Sequence, residues 1–267
     1  MSATIIAVSS QKGGVGKTTT TVNLGAGLVR AGKRVLLVDA DPQGSLTVAL
    51  GYPKNLRDTL KNAMENILFD MEFDSHEVVL HHSEGMDLVP ANKALTGTEA
   101  TLLTIQDDRE KVMKQFLAEL RDEYDYILID CAPSLGMLTV NALTAADQVL
   151  IPCQPQFLAA DALADLFKLV LSIRKRYNPN LRIEGILYTM DPVRYNNTKQ
   201  NKAAIEEACG AQVPVLKTSI PRYEAIAEVA SEGVSIFNYK KSSESVSRSC
   251  EVFERLTEEV LHYGKAN

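Results

Sequence analysis

The segment Lys12-Gly13-Gly14-Val15-Gly16-Lys17-Thr18-Thr19 constrains this chain more than any other. It follows Thr4–Ser9, a short run rich in β-branched residues, and opens Lys17–Ala31, a stretch long enough for a helix. Gly32 stands where a helix C-terminal cap belongs. Strand, glycine loop and helix in that order make an anion cradle. Glycines let backbone N–H groups approach a phosphate, and the helix N-terminus adds partial positive charge. In such a loop Lys17 reaches the β- and γ-phosphates of a nucleotide, and the Thr18 hydroxyl ligates Mg²⁺. The common pattern G-x-x-x-x-G-K-[ST] asks for Gly at position 11. This chain has Gln11 there, followed by a second lysine, Lys12. A plain glycine-rich turn with an exposed lysine would leave the downstream carboxylates without a purpose.

Those carboxylates close apolar runs. Asp130 ends Tyr126-Ile127-Leu128-Ile129, which is the Walker B arrangement of a strand-end carboxylate beside a phosphate loop. Asp39 and Asp41 close Arg34–Asp39 and stand two apart, on one side of an extended segment. Hydrolysis of a Mg²⁺-nucleotide needs one group to hold the metal and another to orient the attacking water. Asp130 and Thr18 are expected at the metal, Asp41 at the water, and Asp39 at the metal or in support of the loop. The competing reading of Asp39 and Asp41 is a pair of turn formers before Pro42.

Further short apolar runs occur at Met86–Val89, Gln148–Ile151 and Ile183–Tyr188. Helical patterns fall at Arg109–Arg121, Asp161–Arg176, Thr198–Cys209 and Ser245–His262. Continuous apolar strands are those of a sheet buried on both faces, hence mostly parallel with helices on either side. The expectation is one α/β domain of the P-loop nucleotide-hydrolase type spanning residues 1–267, with Asn66–Glu84 as a variable insertion or an edge hairpin.

A net charge of −6 argues against a generally basic nucleic-acid binder, so any contact with DNA has to be a local patch. Four widely spaced cysteines without a C-x-x-C pair fit buried thiols in a reducing compartment. Neither a secretory leader nor an apolar run of membrane-spanning length is apparent, and a cytoplasmic location is expected. The last helical pattern carries Val252, Phe253, Leu256, Val260 and Leu261 opposite a mainly acidic face, which suits core packing rather than an anionic membrane.

Taken together, K-G-G-V-G-K-T-T at Lys12–Thr19, D-A-D-P-Q-G-S at Asp39–Ser45 and I-L-I-D-C-A-P-S-L-G at Ile127–Gly136 resemble the ParA/Soj family of partitioning ATPases over almost the whole chain. N-A-L-T-A-A-D at Asn141–Asp147 and I-P-R at Ile220–Arg222 are weaker matches. The resemblance implies slow hydrolysis of ATP to ADP with Mg²⁺. It implies an ATP-dependent homodimer in which Lys12 crosses to the partner's phosphates and Gly13 lies at the close approach of the two loops. Asp41 matches the hydrolytic residue, Ser134–Gly136 the segment that senses the γ-phosphate, and Met190 and Pro221 the nucleotide pocket. The dimer would bind double-stranded DNA without sequence preference, remain nucleoid-associated, and be released by a ParB-type centromere-binding protein. Arg194, Lys199, Arg222, Lys240, Lys241 and Arg248 are the candidate DNA contacts. The alternative within the same type is an ATPase that positions a non-DNA cargo, such as a division or secretion complex.

Overall fold

A computed structural model describes residues 2–156, 159–191, 196–210 and 213–263. The first half runs β1 (Thr4–Val8), α1 (Lys17–Arg30), β2 (Val35–Ala40), α2 (Ser45–Ala49), α3 (Leu60–Leu68), β3 (Leu80–His81), β4 (Met86–Val89), α4 (Leu95–Thr104) and α5 (Val112–Leu120). It continues through β5 (Tyr126–Cys131), α6 (Met137–Ala145), β6 (Gln148–Cys153) and α7 (Ala159–Arg176). The last elements are β7 (Arg182–Asp191), α8 (Asn196–Cys209), β8 (Val215–Pro221), α9 (Glu224–Val229) and α10 (Glu244–Tyr263).

The strands form one eight-stranded sheet in the order β3-β4-β2-β5-β1-β6-β7-β8. Every pairing is parallel except that of β3 with β4. Of Asn66–Glu84, Leu80–His81 joins the sheet as β3, folding back on β4 at the rim. The buried strands read as unbroken apolar runs because helices cover both faces. Along β1, Ile5 and Ala7 pack to one side, with α5, α6 and α7. Ile6 packs to the other, with α1 and α10. Val252, Phe253, Leu256 and Val260 of α10 are buried in that second layer, with Leu261 against it.

Local chemistry sets the helix ends. Gly32, at φ +77°, follows the last turn of α1, and its N–H bonds to the Val29 carbonyl at 2.8 Å. This is the left-handed cap expected there. Arg174, Lys175 and Arg176 occupy the last turn of α7, where cations offset the carbonyl end of the helix dipole. The helical pattern at Arg109–Arg121 is shorter than expected, because α5 begins at Val112.

Topology places the site. β1 lies between β5 and β6, and β2 lies on the far side of β5. The chain leaves β1 at the point where the strand order reverses, the position at which open parallel sheets bind ligands. In register, Val8 is beside Asp130, and Asp130 is beside Asp39. The loop after β1 thus opens beside two strand-end carboxylates far away in sequence.

Candidate nucleotide-binding site

Residues between β1 and α1 form a loop whose sharp bends fall on glycine. Gly14 and Gly16 adopt φ +71° and +87°, conformations that a side chain disfavours. Gly16 caps α1, and the Thr20 N–H bonds back to its carbonyl at 2.9 Å. Two residues that the motif does not announce hold the loop in place. Thr189, at the end of β7, donates its hydroxyl to the Val15 carbonyl at 2.7 Å. Gln154, just past β6, donates its amide to the Gly14 carbonyl at 3.2 Å. Gln154 follows β6, the neighbour of β1, and Thr189 lies on β7, one strand further out, so only the sheet order brings them to the loop.

Lys17 is buried at the first turn of α1, and its ammonium donates to the Ser10 and Lys12 carbonyls, each at 3.3 Å. Burial lowers its pKa from the ordinary lysine value, opposed by the Asp130 carboxylate. Lys12 is half-buried and donates its ammonium to Gln156 of the same chain at 2.7 Å. Gly13 and Gly14 are exposed, and Val15 is buried.

Asp130 is enclosed at the end of β5. Its Oδ2 accepts the Thr18 hydroxyl at 2.6 Å, while its Oδ1 has no partner among the described residues. Burial, together with the neighbouring Asp39 charge, raises its pKa to about 8. Among the described residues no cluster of three or more His, Cys, Asp or Glu side chains forms a metal cage. A hydroxyl with one orphaned carboxylate oxygen is instead a half-shell suited to Mg²⁺, which keeps waters and phosphate oxygens as its other ligands.

The strand ends at Ala40, so Asp39 closes β2 and Asp41 stands on the turn beyond it. Asp39 is fully enclosed, with its pKa pushed to about 6 by burial. It accepts from the Thr47 N–H at 2.8 Å, the Thr47 hydroxyl at 2.7 Å and the Asp41 N–H at 3.2 Å. These bonds tie Asp39 to the turn after β2 and to α2. Asp41 is partly exposed on the turn and accepts from the Gln43 N–H at 2.8 Å.

A cavity of about 400 Å³ continues from the loop along the start of α1. Gly16, Thr19, Met190 and Pro221 line it, so the residues expected to hold a nucleotide come together. Met190 adopts φ +47°, a left-handed conformation uncommon for its type. Arg222 lines the same cavity. A second cavity of about 280 Å³ opens on the other side of Thr19, between α1, α2 and α9.

The basic residues expected to contact DNA differ in their surroundings. Lys199 on α8 and Lys240 before α10 are exposed. Lys241 is paired with Glu228 at 2.9 Å, and Arg248 with Glu244. Arg194 lies outside the described residues. No described helix is long and apolar enough to cross a membrane.

Comparison with known proteins agrees with the fold. Residues 3–183 match a family described as an AAA domain. The chain is 43 % identical to the sporulation initiation inhibitor protein Soj of Bacillus subtilis over 266 residues, covering 97 % of this chain and 99 % of that one. It is 41 % identical to the chromosome partitioning protein ParA of Myxococcus xanthus, covering 96 % and 87 %. Among solved structures, that of cobyrinic acid a,c-diamide synthase from Mycobacterium smegmatis with bound ADP and magnesium superposes with a TM-score of 0.82. The two are 34 % identical, with 99 % of this chain and 96 % of that chain covered.

Proposed function

The chain belongs to the ParA/Soj family of P-loop partitioning proteins, and on that premise we propose that it is an ATPase whose ATP-bound dimer binds DNA without sequence preference and is released on hydrolysis. The observation that carries the enzymatic part is the Thr18–Asp130 pair at the loop, with one buried carboxylate oxygen left unpaired. The glycine loop and Lys17 would hold the phosphates, and Thr18 with Asp130 would hold Mg²⁺, which offsets the charge gathering on the transferred phosphoryl group. To reach a phosphate, Lys17 exchanges its two backbone carbonyl partners for a charged one, and a charge-assisted bond is the stronger. Asp41, free on one side and fixed on a turn, orients the attacking water. The cavity lined by Met190 and Pro221 takes the base and ribose. Lys12 gives up Gln156 and crosses to the partner subunit's phosphates.

For DNA, the reading is supported by the relatives and by the exposed Lys199 and Lys240. The ion pairing of Lys241 and Arg248 and the net charge of −6 favour the other member of the same type, an ATPase with a non-DNA cargo. Retention on non-specific duplex DNA with Mg²⁺-ATP, measured against rising salt, separates the two. Phosphate contacts make binding fall steeply with salt. Asp41→Ala should remain on DNA with ATP, and Lys17→Ala should fail to bind nucleotide. No ATP-dependent retention at low salt removes the DNA reading and leaves the ATPase. Release of phosphate by Asp41→Ala at the wild-type rate removes the assigned role of Asp41.

A further inference from the structure

Thr47 belongs to none of the motifs above, yet it lies in α2 directly after the turn that presents Asp41. It is fully enclosed in α2. Its hydroxyl donates to Asp39 Oδ2 at 2.7 Å and accepts from the Ala91 N–H at 2.9 Å. Its own N–H donates to the same Asp39 oxygen at 2.8 Å. One hydroxyl therefore ties the end of β2 to the chain that leaves β4.

The turn itself is clamped against that chain. Gly44 adopts φ +64°, and a Cβ built on it would lie 2.8 Å from the Ala91 carbonyl oxygen. The Gly44 N–H closes the turn on the Asp41 carbonyl at 2.9 Å, and the Asp41 N–H is held by Asp39 at 3.2 Å. Among the described residues the Asp41 carboxylate accepts one hydrogen bond, from the Gln43 N–H inside the same turn. Its direction is therefore set by where the turn sits, and the turn sits where Asp39, Thr47 and Ala91 put it.

We propose that Thr47 is a positioning residue for hydrolysis, aiming the Asp41 carboxylate through the Asp39–Thr47–Ala91 hydrogen bonds. The proposal rests on Asp41 being the residue that orients the attacking water. The hydroxyl is needed twice. A valine of the same shape would leave Asp39 short of a donor and the buried Ala91 N–H without an acceptor, whereas a serine keeps both. Nucleotide binding draws on the loop and the cavity, none of whose residues touch Thr47 in these hydrogen bonds. Loss of aim should therefore appear in the hydrolytic step and not in affinity.

The test compares wild type, Thr47→Ser, Thr47→Val and Asp41→Ala in single-turnover hydrolysis of Mg²⁺-ATP and in binding of a fluorescent ADP analogue. Thr47→Val should slow hydrolysis about tenfold or more while ADP affinity moves less than about threefold, and Thr47→Ser should stay within about threefold of wild type in both. Wild-type hydrolysis by Thr47→Val alongside an inactive Asp41→Ala overturns the proposal and leaves the ATPase reading intact. Wild-type hydrolysis by Asp41→Ala overturns the premise instead. Should Thr47→Val fail to fold by thermal melting, Thr47→Ala takes its place, removing the same hydroxyl with a smaller side chain. It should show the same split, and wild-type hydrolysis by it also overturns the proposal.

Discussion

Asp130 has 1 % of its surface exposed, one oxygen on the Thr18 hydroxyl and the other unpaired among the described residues. Burial and the Asp39 charge hold its pKa at about 8 against an ordinary 3.8. A carboxyl whose pKa is raised by folding binds its proton more tightly in the native state. Its contribution to stability is complete below about pH 4 and is lost as pH rises through about 8. At about 1.4 kcal/mol per pH unit, holding this group proton-bound or ionised at pH 7 costs the fold on the order of 4 kcal/mol. Asp130→Asn keeps the shape, and its amide oxygen can still accept from Thr18, but it carries no such cost. With half the figure lost to relaxation and water entry, the variant should gain about 2 kcal/mol at pH 7, which for a chain this size raises Tm by about 4 °C or more. The gain should grow towards pH 8.5 and shrink towards pH 5. In the same melts, Mg²⁺ with ADP should stabilise wild type well beyond ADP alone and add little to the variant, since the metal loses a ligand. Differential scanning calorimetry across pH reads both effects. An Asp130→Asn protein that melts below wild type at pH 8.5 without nucleotide would refute the argument that this carboxylate is held against its own solvation.

Glu184 on β7 is 5 % exposed with Oε1 unpaired among the described residues, and burial raises its pKa to about 7, so wild type should lose stability as pH rises from about 4.5 through 7. Glu184→Gln should flatten that slope by up to about 3 kcal/mol in urea unfolding, and parallel slopes would contradict it. Gly233 and Gly51 meet back to back at φ +72° and +79°, and a Cβ on Gly233 would stand 2.8 Å from the Gly51 Cα. Gly233→Ala should cost at least about 1–2 kcal/mol for the left-handed backbone alone, read as a lowered urea midpoint at unchanged slope.

Legibility in the sequence followed burial. β2, β4, β5 and β6 lie within a residue or two of their apolar runs because strands covered on both faces are apolar throughout. β8 went unread because it is half-covered: Leu216, Thr218 and Ile220 point inward while Lys217 is exposed, and the run looks mixed. α6 went unread for the opposite reason. Nearly all of Leu138–Ala145 is buried, so no polar face marks a helical period. At the site, Lys17, Thr18 and Asp130 were legible because their chemistry fixes both type and spacing. Thr189, Gln154 and Thr47 were not, since a hydroxyl or amide becomes meaningful only once strand order brings it to a loop distant in sequence. Met190 and Pro221 were reached by resemblance, and they line one cavity beside the loop.

Gly13 offers the sharpest separation between what one chain and what two chains require. A Cβ built on Gly13 meets nothing within 4 Å, and its φ is not among the left-handed values that demand glycine, unlike Gly14 and Gly16 on either side of Val15. No protein atom of this chain therefore demands a glycine here. Gly13→Val should leave thermal stability within about 0.5 kcal/mol of wild type, as for any exposed position without a special contact. ADP binding should also persist, because Lys17, Thr18 and the cavity are untouched. If the loops of two chains pass closely at this point, as the role proposed for the neighbouring Lys12 requires, the added side chain must block ATP-dependent dimer formation and whatever depends on the dimer. Sedimentation velocity with Mg²⁺ and a non-hydrolysable ATP analogue measures this directly. A Gly13→Val protein that binds nucleotide and dimerises as wild type would sink the sandwich arrangement. Loss of nucleotide binding together with loss of the dimer would instead mean that the loop was damaged within one chain, contrary to the open space around it.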